Sequence, residues 1–361
     1  MMWKFFELFS HKIYTYFRSL SGKLLIVSAG QYPSTVVRVG DVPVAPNHIA
    51  SGRTMSAPGR KGETVWALTG RRFLKHRLAV VSLGVLAGLA LAALSAPLAA
   101  ALIGADASAV DLFNRFQGSS WAHPLGTDEI GRDILVRLLY GGQISLIVGL
   151  TAAFASAVIG TMVGLLAGYY GGRIDAFLMR TTDGVIALPL LPLLIVLAAL
   201  DLGKIGLPEA LATSENISLY RIIVIVALVG WTTVARLVRG TALSLRERQF
   251  VLAAEAQGAS ALRIMTVHIL PNLASPIIVA TTLSVGNVIL LESVLSFLGL
   301  GIQPPIPSWG NLLTNAQELI FEAPSLAFYP GVLIFVTVIA FNFLGDGLQD
   351  ALDPRATERR G

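Results

Sequence analysis

The chain has 361 residues, 54% of them hydrophobic and only 14% charged, with a mean hydropathy of +0.69. Soluble domains average about 25% charged residues, so this is the composition of an integral membrane protein. Cysteine is absent, which excludes disulfides and thiolate metal sites; the five histidines are scattered without ligand spacing, and no metal or cofactor is expected. The formal net charge of +5 reflects where basic residues sit relative to a membrane, and no nucleic-acid partner is expected.

Residues 1–54 begin MMWKFFELFSHKIYTYFRSL, a stretch able to form a basic, aromatic-rich amphipathic helix against membrane lipid. Residues 31–60 are rich in Gly, Pro, Ser and Val and read as a linker. The apolar core and cleavage site of a signal peptide are missing. Met55 opens Met-Ser-Ala-Pro-Gly-Arg, a natural beginning for the apolar domain that comes after it. Residues 1–60 therefore read either as an extension or as a start-site artefact, with no function assigned. Residues 61–361 read as one transmembrane domain.

Six apolar stretches come next, judged against the ~20 residues a helix needs to cross a bilayer. They are residues 78–103, 144–166, 185–200, 221–237, 273–298 and 326–344. The third is short and interrupted by Pro189 and Pro192. The expected fold is all-α: a polytopic membrane protein with six transmembrane helices.

Basic residues orient it. Arg71, Arg72, Lys75, His76 and Arg77 precede the first span; Arg173 and Arg180 lie between the second and third. Arg239, Arg246, Arg248 and Arg263 lie between the fourth and fifth, and Arg355, Arg359 and Arg360 end the chain. On the other side, the loop after span five carries Glu318 and Glu322 but no Lys or Arg. The loop after span three sets Lys204 against Asp201, Glu209 and Glu215. The positive-inside rule then puts both termini and the 246–271 loop in the cytoplasm. The loop with Arg115, Arg132 and Arg137 runs against this pattern.

Gly160, Gly164, Gly168 and Gly172 are spaced by four, which sets them on one helix face where another helix can come close. Glu292 falls inside span five, near Asn287 and Ser293. An ionisable group there is a functional candidate, either lining a pathway or paired at an outer mouth. In the first outer loop, Gly126-Thr127-Asp128 and Gly131-Arg132-Asp133 read as capping chemistry, with Asp128 as cap of a helix containing residues 134–140. Pro304-Pro305-Ile306-Pro307-Ser308-Trp309 is stiff, with an aromatic suited to the membrane interface.

The most distinctive stretch is residues 246–271, RERQFVLAAEAQGASALRIMTVHILP, within a polar loop spanning 239–272. Residues 250–257 are good helix formers and Gly258 suits a helix stop. Residues 259–268 read as a second short helix ended by Pro271. Two short helices with a turn between them make a compact knob.

Ala253-Ala254, then Gly258, then Leu270-Pro271 are in register with the "EAA loop", which this stretch resembles, of bacterial ABC importer permeases. Leu252 stands where that motif has Glu, and His268 fills its apolar slot. Residues 123–146, 295–313 and 341–355 are similar to signatures of the C-type subunit of dipeptide and oligopeptide importers. The resemblance implies a type I importer permease that pairs with a homologous second permease. It implies two ATP-binding ATPase subunits and an extracytoplasmic solute-binding protein as further partners. Leu252, Ala253, Ala254, Gln257, Gly258 and Ala259 would form the ATPase-docking surface, with Leu270 and Pro271 setting the exit into span five. Docking of the binding protein is then an alternative role for the first outer loop.

The residues themselves agree with that division of labour. No G-x-x-x-x-G-K-[ST] phosphate loop occurs, and no nucleophile–base constellation stands out, so no catalytic residue is expected. A stand-alone ion-coupled secondary transporter is the alternative. It would call for buried charges in several spans and for inverted repeats, and neither is evident.

Overall fold

The computed structural model describes residues 65–200, 214 and 216–353. They belong to one compact unit, Lys61–Gly361. The N-terminal amphipathic stretch and linker, the loop with Lys204, and the C-terminal arginines lie outside the described residues. No strand occurs among the described residues, only an isolated bridge between Thr127 and Asp133.

Helix α1 (Val65–Lys75) carries the first basic cluster and leads into α2 (Arg77–Leu94). His76 caps α2, its Nδ1 accepting from the Ala79 N–H at 3.2 Å. The first expected span is not continuous. It breaks at Ser95, and α3 (Ala96–Ile103) restarts with Pro97 in its first turn, where a missing N–H is harmless.

Helix α4 (Ile134–Tyr170) has 37 residues and begins ten positions before its apolar stretch. Its cap is Asp133, whose Oδ1 accepts from the Val136 N–H at 2.8 Å, and not Asp128 as the sequence suggested. Asp128 instead closes its own turn, accepting from the Ile130 and Arg132 amides and from Arg132 Nε at 2.7 Å. Gly126 and Gly131 both take φ +82°, and a side chain on either would collide with the carbonyls of Gln117 and Asp111.

The third expected span is two helices, α5 (Gly172–Ala187) and α6 (Leu190–Ala198), meeting at 86°. Leu188 precedes Pro189 and is extended, as the proline ring demands of the residue before it. Then come α7 (Ile217–Arg246), α8 (Gln249–Ala256), α9 (Ala261–Phe297) and α10 (Ser325–Leu352). Five of these helices are long and apolar enough to cross a membrane, and six crossings result if the bent pair is one.

Packing argues for six. Gly160, Gly164 and Gly168 of α4 face Trp231, Ala235 and Ala242 of α7 in ascending order, so the two helices run parallel. Parallel neighbours need a return segment between them. Asp175 of α5 pairs with Arg239 toward one end of α7, while Leu194 and Ala198 of α6 share a core with Leu219 and Ile222 at its other end. The bent pair thus retraces the length of α7. A Cβ on any of the three glycines would collide with α7, so the seam depends on close backbone approach, the main source of helix association in lipid. Gly172 is not part of it. Helix α4 ends before it, its φ is +53°, and a Cβ there would meet nothing within 4 Å.

Candidate functional site

Arg246 ends α7, and the chain turns into the knob. Val251 of α8 is buried in a cluster with Leu165 of α4, Val234, Val238 and Ala242 of α7, and Ile264, Met265, Ile269 and Leu273 of α9. One apolar plug therefore roots the knob in three long helices. Helix α8 stops in a paired-bond terminus: the Gly258 N–H reaches Glu255 O at 2.9 Å and the Ala259 N–H reaches Ala254 O at 3.0 Å. Gly258 takes φ +79°, which a residue with a side chain adopts only at a cost, while the space around its Cβ position is open. The Ser260 hydroxyl then caps the start of α9, accepting from the Arg263 N–H.

The expected second short helix does not end at Pro271. It runs unbroken into the fifth span as α9. Residues Ile264–Ile269 are π-helical, and the Leu270 N–H bonds Met265 O, one residue further back than in an α-helix. Pro271 then sits in the first turn of the α-helical segment Leu270–Phe297, where its lack of an N–H breaks no bond.

The sequence candidates gather on this knob with one face outward. Leu252, Ala253, Gln257, Gly258 and Pro271 are exposed; Ala254, Ala259 and Leu270 are half-buried. Leu252 is 51% exposed, and Phe250, Leu262 and Val267 are exposed beside it in sequence. Arg248, Glu255 and Arg263 are exposed on the same loop. These four large apolar side chains are left uncovered by the rest of the chain.

The polar candidates of α9 are not arranged alike. Glu292 is completely buried. Its Oε1 accepts from Ser296 Oγ at 2.7 Å and Ser308 Oγ at 2.8 Å, and its Oε2 faces Ser145 Oγ at 3.4 Å. Ser145 Oγ in turn accepts from the Trp309 N–H. Glu292 therefore ties the segment 302–311 to α4 and α9 and does not line an open mouth of this chain. Ser293 is buried and donates to Ile289 O, so Asn287 alone of the three is exposed. Trp309, expected at the membrane interface, is 2% exposed; its Nε1 donates to Leu138 O at 2.9 Å.

Sequence reasoning missed these serine partners and two ion pairs. Arg239 grips both oxygens of Asp175 at 2.6 Å, and Arg236 reaches Asp183 at 2.5 Å. Ser296 lies four residues after Glu292, a helical spacing that signals contact. The ion-pair partners and Ser145 are 53 or more positions away and leave no local signal.

The bundle and its knob define a multi-pass, all-helical membrane protein. A family model described as "binding-protein-dependent transport system inner membrane component" matches residues 160–358. A second, "N-terminal TM domain of oligopeptide transport permease C", matches residues 64–107. A dipeptide transport system permease protein of Alkalihalophilus pseudofirmus is 40% identical over 290 residues, covering 80% of this chain and 90% of that protein. A putative peptide transport system permease protein of Brucella abortus is 38% identical, covering 85% of this chain and 97% of its own. The oligopeptide transport system permease protein of Bacillus subtilis is 36% identical, over 82% and 92%. The chain belongs to the family of binding-protein-dependent transport system inner membrane components, and is a permease subunit of an ABC transport system.

Proposed function

We propose that this permease subunit imports peptides or a related small solute, forming half of the pathway beside a homologous second permease. The peptide class is carried by the names of its relatives. Two ATPase subunits drive it, a solute-binding protein delivers substrate from outside, and both termini and the knob face the cytoplasm. Residues 246–271 dock on the ATPase through Leu252, Ala253, Ala254, Gln257, Gly258 and Ala259. The observation that carries this reading is the exposed apolar face on a knob rooted rigidly in α4, α7 and α9. A rigid root transmits displacement; an exposed apolar face needs a groove to cover it.

The test is purification of the tagged chain in detergent with proteins of its own operon, followed by an ATPase assay. Gly258→Leu forces a side chain into a left-handed φ at a cost of about 1–2 kcal/mol and adds bulk to the outer face without entering the bundle. The variant is expected to stay in the membrane but release the ATPases or uncouple them from transport. Leu252→Glu, on an exposed position, is expected to retain transport. Purification of the wild-type chain alone, without ATPase activity, overturns the docking role.

A further inference from the structure

Helix α5 is attached in an unusual way for an element of this bundle. Thr182 is its one buried residue, and Ile174, Phe177 and Ile186 remain exposed. Two ion pairs link it to α7. The Arg239 guanidinium bonds both Asp175 oxygens through Nε and Nη2, a fork that fixes orientation as well as distance. Arg236 and Asp183 form a second rung, more exposed and so weaker by itself. Asp175 precedes Asp183 on α5 while Arg239 follows Arg236 on α7, so the rungs span two antiparallel helices.

Arg236 and Arg239 sit on the same stretch of α7 as Val234, Val238 and Ala242, which are packed into the plug that roots the knob. Past Asp183, α5 runs into the 86° bend at Leu188–Pro189. Beyond the bend, α6 packs on the other end of α7, where Leu194 and Ala198 join a second apolar cluster with Ile222 and Ile225. One arm of the bent span is thus clamped by ion pairs near the knob's root, and the other packs through Leu194 and Ala198 against the far end of α7.

We infer that Asp175–Arg239, seconded by Asp183–Arg236, is the clamp through which displacement of the knob changes the angle of the bent third span. Asp175 and Arg239 are positioning residues: they touch neither substrate nor nucleotide, and they act through α5. The inference rests on the coupling role proposed above for the knob.

The experiment uses the assembled transporter with Asp175→Asn/Asp183→Asn, and with the exchange Asp175→Arg/Arg239→Asp. Removing the charges is expected to leave assembly and basal ATP hydrolysis in place. Stimulation of hydrolysis by the substrate-loaded binding protein falls by roughly tenfold, and transport with it. The exchange restores stimulation at least in part. Wild-type stimulation in the first variant, or an exchange as defective as the first variant, overturns the inference; so does loss of assembly in both, which marks a plain structural staple. A second arm needs no ATPase. The chain has no cysteine, so Arg180→Cys, exposed on α5, gives a single labelling site. Its thiol-labelling rate in the membrane-embedded chain is expected to change several-fold when Asp175 and Asp183 become Asn. An unchanged rate refutes the clamp, whereas a wild-type complex lacking ATPase refutes the docking role instead.

Discussion

The carboxylate of Glu292 is fully buried in a membrane-crossing helix, and every hydrogen bond it receives comes from a serine. Those serines lie on three elements: Ser145 on α4, Ser296 on α9 and Ser308 in the segment before the 3₁₀ turn Asn311–Leu313. Glu292→Leu leaves three buried hydroxyls without their partner, and each unsatisfied buried polar group costs about 1–3 kcal/mol. The variant is expected to lose about 3 kcal/mol or more, read as a lower thermal midpoint in detergent. Glu292→Gln keeps one acceptor oxygen and the side-chain shape, and should lose less. Equal midpoints for the two variants would show that the serines do not depend on the carboxylate. From sequence, Glu292 was recognisable as exceptional but not as an anchor, because Ser145 and Ser308 are 147 and 16 positions away.

Between elements, small residues decide which faces meet. The α4–α7 seam sets Gly160, Gly164 and Gly168 against backbone, where a side chain has no room to relax. Gly164→Val is expected to destabilise the bundle by about 1–3 kcal/mol, the usual cost of overpacking. Gly88→Val on α2, where a Cβ meets nothing within 4 Å, is the matched control and should leave the midpoint unchanged. Comparable losses at both positions would mean that helix propensity, not the seam, controls the effect. Of the four glycines spaced by four, three lie on the seam and Gly172 does not. Periodicity shows which residues share a face but not where the helix ends, and here it ends at Tyr170. The same limit explains α9: Pro271 is a sound local stop signal, yet a π-helical turn absorbs it.

Across the whole molecule, parallel packing of α4 and α7 makes the bent α5–α6 pair a crossing, so an even number of spans results. In the proposed orientation, the knob and the loop after α3 lie on opposite faces of the membrane. Trp121 in that loop and Leu262 on the knob are well exposed. In intact cells, an impermeant thiol reagent is expected to label Trp121→Cys but not Leu262→Cys, and to label both after permeabilisation. The reverse pattern would invert the proposed orientation.

Membrane class, the approximate spans and the knob with its Gly258 stop were all readable in the sequence alone. Each rests on a local property: hydropathy over ~20 residues, or the φ freedom of one glycine at a helix end. Tertiary structure alone decided the 86° angle between the two arms of the third span, the burial of Trp309, the serine cage of Glu292 and the clamp of Asp175 on Arg239. Those features depend on the rotation and bend of helices far apart in the chain. Their residues meet only once close backbone packing has fixed both, and no period along the sequence encodes that.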